Sequence, residues 1–450
     1  MRRSRKSALI YIVLSLFFVT NIFSQDTLLL EDAIRMGLEN SYSIQIAQNN
    51  SSIAKNNNTI GNAGYLPNVD FGVNQGSSYQ DRYQRDADET SSSISMYPTH
   101  NLTSAIQLNW TVFDGMAMFI RKEKLQLFQE QSDLYLRMEV ENTIADIVYT
   151  YYNIALNRKL YDSYQERLSL SQQRLVVARE KSLIGVGYEL QELQAEVDFR
   201  ADSAQYVSQR SRLINLKADM NRLLRRNPDE QFQVNPAIPL PNHIEAADIY
   251  KRVSENNPAM LDARLRAEVG DLEHDEAKSA RYPRVNLSGA YNFSRTGTPD
   301  AQQQLYITNG PTFGVGASIT IFNGFNATRR IHNTRIMAEN QRLNRDELEL
   351  RLKSTAFKLV NELNQAIELV RVEEKSVVLA QRNAEAAWER FQLGAISDLE
   401  LRESQNKLLD AQTRLISAQM TAQAAEIEIN TLTGDMVGFL RQNHDDILLE

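Results

Sequence analysis

Two intervals of about 70 residues without glycine or proline place the strongest constraint on the fold of this chain. Glycine is absent from Met116 to Ile184 and again from Phe325 to Leu393, and both intervals also lack proline. Because these two residue types interrupt helices, each interval predicts one uninterrupted helix. At 1.5 Å per residue, such a helix would be roughly 100 Å long. No ordinary globular domain holds helices of that length.

Each interval follows a segment in which apolar and polar residues alternate. Residues 110–116 read WTVFDGM, and residues 319–325, which lie 209 positions later, read ITIFNGF. Alternation with period two predicts β-strands whose two faces meet different environments. We expect the second return strand to include Ile319 and Ile321. Polar residues near 79–101 and 295–310 predict the loops of two hairpins.

The chain is also an internal repeat. A shift of 216 positions places Asp32 on Asp248 and Pro67 on Pro283, and a shift of 209 places Phe113 on Phe322 and Gly115 on Gly324. The expected segments are a signal peptide (1–24), N-terminal helices (25–66), a first β-hairpin (67–114), a first long helical hairpin (115–226), a Pro-rich linker (227–245), second-repeat helices (246–282), a second β-hairpin (283–323), a second long helical hairpin (324–434) and a C-terminal tail (435–450).

The first 24 residues predict export. A basic start precedes an apolar core from Ala8 to Val19, and Ser24 is a small residue at a plausible cleavage point. The alternative, a membrane anchor, is disfavoured because the apolar run is shorter than the ~20 residues that a spanning helix needs. Removing four basic residues changes the balance from 49 basic and 57 acidic residues to 45 and 57, a net charge of −12.

This composition excludes several classes of protein. An acidic chain without a basic cluster is a poor nucleic-acid binder. The chain has no cysteine, so it has no disulfide framework, no thiolate metal site and no lipid-modified cysteine. Its five histidines are scattered and have no metal-ligand spacing. Met116 and Met118 are better explained by packing than by copper export. We expect no cofactor and no enzymatic activity.

The alternating strands fit a membrane barrel with lipid outside and water inside. A sheet over a soluble core is the alternative, but the second face of each strand carries polar residues. Four strands are too few to close a barrel, and an open sheet edge cannot lie in hydrocarbon. The chain must therefore share its barrel with copies of itself. Three copies would give twelve strands, although strand counting also permits two or four copies.

Short motifs recur at matching places in the two halves. They are Leu66-Pro67 and Tyr282-Pro283 at the strand starts, Phe113-Asp114-Gly115 and Phe322-Asn323-Gly324 at the strand–helix junctions, residues 185–195 and 394–405 at the helical turns, and residues 430–434 near the end. In this order and spacing, over nearly all of the mature chain, they resemble the TolC family of outer-membrane efflux and secretion channels.

The resemblance implies a mostly α-helical homotrimer with a membrane β-barrel. Each chain would give four strands and long helices, so that a twelve-stranded barrel in outer-membrane lipid continues as a twelve-helix periplasmic tunnel. A mixed collar would form from the linker and the chain ends. Such a channel would sit in the bacterial outer membrane and extend into the periplasm. Its partners would be a periplasmic adaptor (membrane fusion) protein and an inner-membrane pump or exporter.

The resemblance also implies a pore aperture at the periplasmic end. Counting from the turn glycine Gly394 gives Glu400 and Glu403, which three copies would present as two acidic rings that favour cations. The alternative is that both belong to a solvated charged face. The positions of the family's tip links are Gln191, Phe391 and Ile396, so the ionic part of those links is absent and closure would be apolar or looser.

The two helical turns are unusually apolar for exposed segments. The resemblance implies that they receive the adaptor's helical hairpin, and the alternative is that they pack against each other across the trimer. The residues concerned are Ile184, Gly185, Val186, Leu393, Gly394 and Ala395.

The expected function is a passive exit duct for small molecules in a tripartite efflux system. A type I protein secretion duct is the alternative within the same class. A secreted coiled-coil structural protein is the alternative from another class, but it leaves the four alternating strands unexplained.

Overall fold

The computed structural model describes residues 27–85, 87–88, 91–184, 189–298 and 305–443, and most of them are helical. The predicted signal peptide lies outside these residues. The elements in chain order are β1 (Thr27–Leu28), α1 (Leu30–Asn40), α2 (Tyr42–Asn57), α3 (Ile60–Ala63), β2 (Asn68–Arg85), β3 (Ser91–Phe113), α4 (Ala117–Leu183), α5 (Glu189–Leu223), β4 (Gln233–Val234), α6 (Ala246–Asn256), α7 (Pro258–Ser279), β5 (Arg284–Gly297), β6 (Leu305–Ser318), α8 (Asn326–Gln392), α9 (Asp398–Leu432) and α10 (Met436–Asn443).

The two intervals without glycine and proline each form a single helix. Helices α4 and α8 have 67 residues each, and the helices that follow them, α5 and α9, have 35 residues each. Within the described ranges, no helix combines the length and the apolar character needed to cross a bilayer. Long helices of mixed composition are stabilised mainly by packing along their sides.

The chain forms two compact units. The first, here called the helical unit, combines the described parts of residues 1–46, 137–258 and 350–450. Its core contains Ile144, Ile147, Val148 and Tyr151 of α4, each at most 3% exposed and spaced by about one helical turn. They pack with buried residues of α1, α5 and α9, and a second apolar cluster joins α6, α8 and α9. A short parallel pairing of β1 with β4 lies in the same unit.

The second unit, here called the sheet unit, combines residues 47–136 and 259–349. Its four strands are antiparallel neighbours in the order β2-β3-β5-β6. The register aligns apolar positions across all four strands, for example Val69 beside Leu108, Leu108 beside Gly289, and Gly289 beside Phe313. Because side chains alternate along a strand, these positions share one face of the sheet.

The other face of the sheet is polar. One residue further along, the register aligns Asp70 with Gln107, Gln107 with Ala290, and Ala290 with Thr312. Most of the apolar side chains remain outside any core of the unit: Val69 is 62% exposed and Phe313 is 86% exposed. Such a face needs an apolar medium or another surface to cover it.

The second return strand ends earlier than its sequence predicts. Strand β6 stops at Ser318, so Ile319 and Ile321 lie beyond it. The reason is pairing. Ser318 is opposite Arg284, the first residue of β5, and β5 is the only strand that β6 contacts in the described sheet. Strand β3 reaches Phe113 because β5 still has a residue opposite it, Val285.

The two predicted loops are also shorter than expected. Strand pairing between β2 and β3 continues to Arg85 and Ser91, and pairing between β5 and β6 continues to Gly297 and Leu305. Most of residues 79–101 and 295–310 is therefore paired strand, which corrects the expectation of long loops. Backbone hydrogen bonds hold these segments in the sheet although their side chains no longer alternate strictly.

Pro67 and Pro283 each lie one residue before a strand, β2 and β5 respectively, where a proline removes no ladder hydrogen bond.

The exits from the hairpins carry glycine in the left-handed region, with φ of +73° at Gly115 and +64° at Gly324. Phe113 is half-buried at the first exit, whereas Phe322 is 71% exposed at the second.

Candidate functional site

The turn between α8 and α9 has a well-defined helix-end geometry. Gly394 has φ of +71°, its N–H donates to the carbonyl of Phe391 (3.0 Å), and the N–H of Ala395 donates to the carbonyl of Arg390 (2.8 Å). This pattern satisfies the last carbonyls of α8. Ser397 caps α9, since its Oγ accepts from the N–H of Glu400 at 3.2 Å. The turn therefore fixes where α9 begins.

The predicted aperture residues Glu400 and Glu403 are both exposed, in the first two turns of α9. Glu403 pairs with Lys407 one turn later, with 2.7 Å between Oε1 and Nζ. The hydrogen bond and the positive charge of Lys407 lower the pKa of the Glu403 carboxyl. Both carboxylates are thus free to face water, whether in a pore or on an outer surface.

The three positions of the tip links have different surroundings. Gln191 is exposed in α5, and Ile396 is half-buried in the turn. Phe391 is 7% exposed, with its ring centroid 6.1 Å from that of Trp388 and 5.0 Å from Nζ of Lys181. Among the described residues, no hydrogen bond or ion pair joins Gln191 to Glu400 or Glu403. Phe391 is therefore packed within the chain.

The apolar residues of the two turns are exposed where the structure describes them. Ile184 is 72% exposed and Leu393 is 84% exposed, and Gly394 and Ala395 are exposed beside Leu393. The remaining predicted turn residues, Gly185 and Val186, lie outside the described residues. Exposed apolar side chains at a helical turn provide a surface on which a partner helix can pack.

A buried ionic cluster close to these turns was missed by sequence reasoning. It joins α4, α5 and α9 within the helical unit. Its six charged members are Arg167, Arg174, Asp198, Asp202, Asp398 and Arg402. Three arginines face three aspartates, so the cluster is neutral overall. It connects the first helical hairpin to the start of α9 through charged side chains.

Asp202 is the centre of this cluster and is 1% exposed. Its carboxylate accepts from Nε of Arg167 at 2.8 Å, from Nη1 of Arg402 at 2.7 Å, and from the hydroxyl of Ser171. Burial opposes its ionisation, but the hydrogen bonds from Arg402 and Ser171 and the two positive charges outweigh burial and lower its pKa. The carboxylate is therefore held ionised inside the protein.

The second half of the cluster is centred on Arg174, whose side chain is fully buried. It pairs with Asp198 of α5, and its Nε lies 3.1 Å from Oδ1 of Asp398, the first residue of α9. Burial raises the pKa of Asp398, although the charge of Arg174 opposes that shift. The spacing of Asp198 and Asp202, and of Asp398 and Arg402, by one helical turn is the sequence signal that could have identified this cluster.

Comparison with known proteins agrees with this architecture. Residues 249–435 match the family model described as outer membrane efflux protein. The outer membrane efflux protein BepC of Brucella suis is 21% identical over 336 residues, covering 74% of this chain and 72% of BepC. The alkaline protease secretion protein AprF of Pseudomonas aeruginosa is 22% identical over 403 residues, covering 86% and 80%.

The second half of this chain therefore matches the outer membrane efflux protein family. The resemblance to TolC channels is thereby confirmed. The crystal structure of VceC from Vibrio cholerae superposes with a TM-score of 0.72 at 15% identity, covering 90% of this chain and 96% of VceC. The open-state channel MtrE of Neisseria gonorrhoeae superposes with a TM-score of 0.69 at 15% identity, covering 93% and 95%.

The chain is a transport duct of the outer membrane that extends into the periplasm. The helical unit holds the turns, the acidic pair on α9 and the ionic cluster. In the described part of the chain, no group of three or more potential metal-ligating side chains lies together.

A half-buried acid of α9, Glu426, has no cationic partner among the described residues. Burial raises the pKa of its carboxyl to about 7. Tyr152 of α4 is 3% exposed. Burial is the main cause that raises the pKa of its hydroxyl, and the nearby charge of Glu426 is the second cause. An acid whose folded-state pKa lies above its ordinary value stabilises the fold at low pH, and that stability is lost as pH rises through the folded pKa.

We therefore expect the Glu426→Gln variant to become more stable than the wild type as pH rises. The two proteins should unfold alike at pH 4, below the ordinary pKa of glutamate, and the variant should gain on the order of 2 kcal/mol by pH 9, because its side chain never carries a charge. Thermal unfolding followed by circular dichroism from pH 4 to pH 9 measures the difference. Glu428, two residues along α9 and exposed, provides the matched control Glu428→Gln. Parallel pH profiles for wild type and Glu426→Gln would contradict the expectation.

Proposed function

We propose that three copies of this chain form one continuous duct, with a twelve-stranded barrel followed by a twelve-helix tunnel. The observation that carries the proposal is the sheet of the sheet unit. Its apolar positions align across all four strands on one face, its polar positions align on the other, and its outer strands β2 and β6 have no second neighbour in the described chain. In a barrel, lipid would cover the apolar face and water would contact the polar face. Neighbouring copies of the chain would pair with the free edges of β2 and β6.

The equal lengths of α4 and α8, and of α5 and α9, support a tunnel made of repeated helical hairpins. Two hairpins per chain give four helices, and three copies give twelve. In this arrangement the short strands β1 and β4, the linker around residues 227–245 and the C-terminal tail would form a collar around the helices. The internal two-fold repeat would then make six similar positions around one axis.

We propose that the duct releases small molecules, which an inner-membrane pump delivers through a periplasmic adaptor. The match to the outer membrane efflux protein family and the similarity to BepC support this assignment. The similarity to AprF, named as an alkaline protease secretion protein, supports type I protein secretion as the second candidate. The exposed apolar residues Ile184, Leu393 and Ala395 would accept the adaptor's helical hairpin in both cases.

Planar-bilayer recording of the mature protein, purified in detergent, tests the duct. A trimer-sized particle that produces discrete conductance steps would support it. Well-folded trimers without conductance would indicate that the tip stays shut without its adaptor. In that case, adding the adaptor should produce conductance steps. A monomeric species that stays in solution without detergent would contradict the barrel, because its apolar sheet face would then be covered in another way.

We expect replacement of both aperture acids, Glu400→Gln and Glu403→Gln together, to reduce the cation preference of the conducting channel. In a trimer the change removes six negative charges, and rings of acids are what make such pores cation-selective. The reversal potential in a tenfold salt gradient should move toward zero by roughly half or more of its wild-type value. The control replaces two other exposed acids of α9, Asp410→Asn and Glu428→Gln. An unchanged reversal potential in the first variant would place both acids on a solvated outer face.

A further inference from the structure

A small cavity lies between α4, α8 and α9 in the helical unit, separate from the exposed acids of the aperture. Its volume is about 140 Å³. Its apolar wall is formed by Leu170 of α4, by Trp388 of α8 and by Leu408 and Leu409 of α9. A cavity of roughly 150 Å³ with apolar walls accepts one benzene ring. The space therefore suits a single six-membered ring or a fragment of that size.

The charges around the cavity are unequal. Glu166 of α4 and Glu385 of α8 contribute exposed carboxylates to its wall, and Arg167 is the one cation among the described lining residues. The Arg167 guanidinium is already engaged, because it donates to Asp202 and to Asn406, each at 2.8 Å. Since the ionic cluster that contains Arg167 is neutral, the two glutamates leave the cavity negative. A positively charged ligand is favoured there.

Gln405 of α9 adds an unsatisfied acceptor. Its side chain lines the cavity and is 6% exposed, and its Oε1 has no hydrogen-bond partner among the described residues. A buried polar atom left without a partner costs stability, so a ligand that donates a hydrogen bond gains affinity from satisfying it. The indole of Trp388 in the same wall is also the aromatic side chain that attracts cations most strongly.

We propose that this cavity binds a small arylalkylammonium cation. The ring would lie against Trp388, Leu408 and Leu409, and the ammonium group would donate to Gln405 and face the carboxylates of Glu166 and Glu385. The proposal goes beyond conduction, since it places a ligand site in the wall of the helical unit. It does not depend on the number of copies in the channel or on a pump, so its failure would leave the proposed duct untouched.

Fluorescence of Trp388 tests the proposal directly. The chain has two tryptophans, and Trp110→Phe leaves Trp388 as the single reporter, with Trp110 located in the sheet unit. We expect 2-phenylethylammonium to change the Trp388 emission saturably at constant ionic strength. The uncharged analogue 2-phenylethanol, which has the same ring and chain length, should bind at least tenfold more weakly, since it lacks the charge that the glutamates favour.

Variants of the wall complete the test. In the Trp110→Phe background, Glu385→Gln should weaken binding of 2-phenylethylammonium about tenfold. Gln405→Leu should weaken it as well, by removing the acceptor. Glu389→Gln, an exposed residue of α8 outside the cavity wall, should leave binding unchanged. Equal binding of the amine and the alcohol would overturn the proposal. Unchanged binding in the Glu385→Gln variant would also overturn it. So would a Trp388 emission that changes when copies of the chain assemble but does not change when the amine is added.

Discussion

Replacing Asp202 with asparagine should destabilise the helical unit by about 3–5 kcal/mol, the usual cost of removing one partner from a buried ion pair. Asp202 is 1% exposed and balances Arg167 and Arg402 at once. An amide of the same size leaves the cluster with three arginines and two aspartates, and the excess positive charge stays buried. The midpoint of thermal unfolding, measured by the helical circular dichroism of the purified protein in detergent, should fall by several degrees.

An exposed pair provides the matched control for this change. Asp162 pairs with Arg158 one turn away on α4 at 3.1 Å, and both side chains are about half exposed, at 54% and 48%. The same substitution there, Asp162→Asn, should cost no more than ~0.5 kcal/mol, because exposed ion pairs contribute little. Similar losses for the two variants would show that water reaches the cluster and that its burial has no energetic consequence.

A double variant separates the charge balance from other effects of the substitution. Arg402→Gln alone leaves the cluster with one excess negative charge, and the pair Asp202→Asn with Arg402→Gln restores neutrality. We expect the double variant to be more stable than the sum of the two single losses predicts, by about 1–3 kcal/mol of coupling. Additive losses would mean that Asp202 and Arg402 do not interact, despite the 2.7 Å between Oδ2 and Nη1.

The course of the long helices could be predicted because it depends on local information. The absence of glycine and proline in two intervals is a property of each interval alone, and α4 and α8 fill nearly all of them. Alternation likewise identified the strands near Val69 and Ile106, where the two faces of the sheet differ. The ends of the strands could not be predicted in this way. They depend on the partner strand, and Ile319 lies outside β6 because β5 offers no residue opposite it.

The ionic cluster shows the corresponding limit for the candidate site. Each helix carries its own spacing of charges, such as Asp198 and Asp202 on α5, but that spacing also occurs on solvated helix faces. Which stripe of α5 meets which stripe of α9 depends on the packing of three helices, and the sequence of one helix does not contain that information. The resemblance to the TolC family directed attention to Gln191 and Ile396 instead. In this chain the ionic connection lies deeper, at Arg174 and Asp202.

Substitution by alanine should destabilise the protein far more at one junction glycine than at the other, although the two glycines occupy matching places in the two halves. Gly115 and Gly324 both have positive φ, so either substitution carries a left-handed strain of ~1 kcal/mol. At Gly115 the added Cβ would also lie 2.5 Å from the carbonyl oxygen of Ser279 and 2.8 Å from Cβ of Tyr282. Backbone atoms cannot rotate away, so we expect a total loss of about 3–4 kcal/mol for Gly115→Ala.

At Gly324 the nearest atom to an added Cβ is Nδ2 of Asn326, at 3.8 Å, which is an ordinary contact. We therefore expect Gly324→Ala to cost only ~1 kcal/mol. Thermal unfolding of both variants in detergent, as separated monomers and as assembled particles, measures the difference. Equal losses in the monomers would contradict the packing of Gly115 against the end of α7. A loss at Gly324 that appears only after assembly would place a second copy of the chain against this junction. In the first half of the chain, Ser279 and Tyr282 pack against Gly115. A neighbouring copy would then supply the equivalent contact at Gly324.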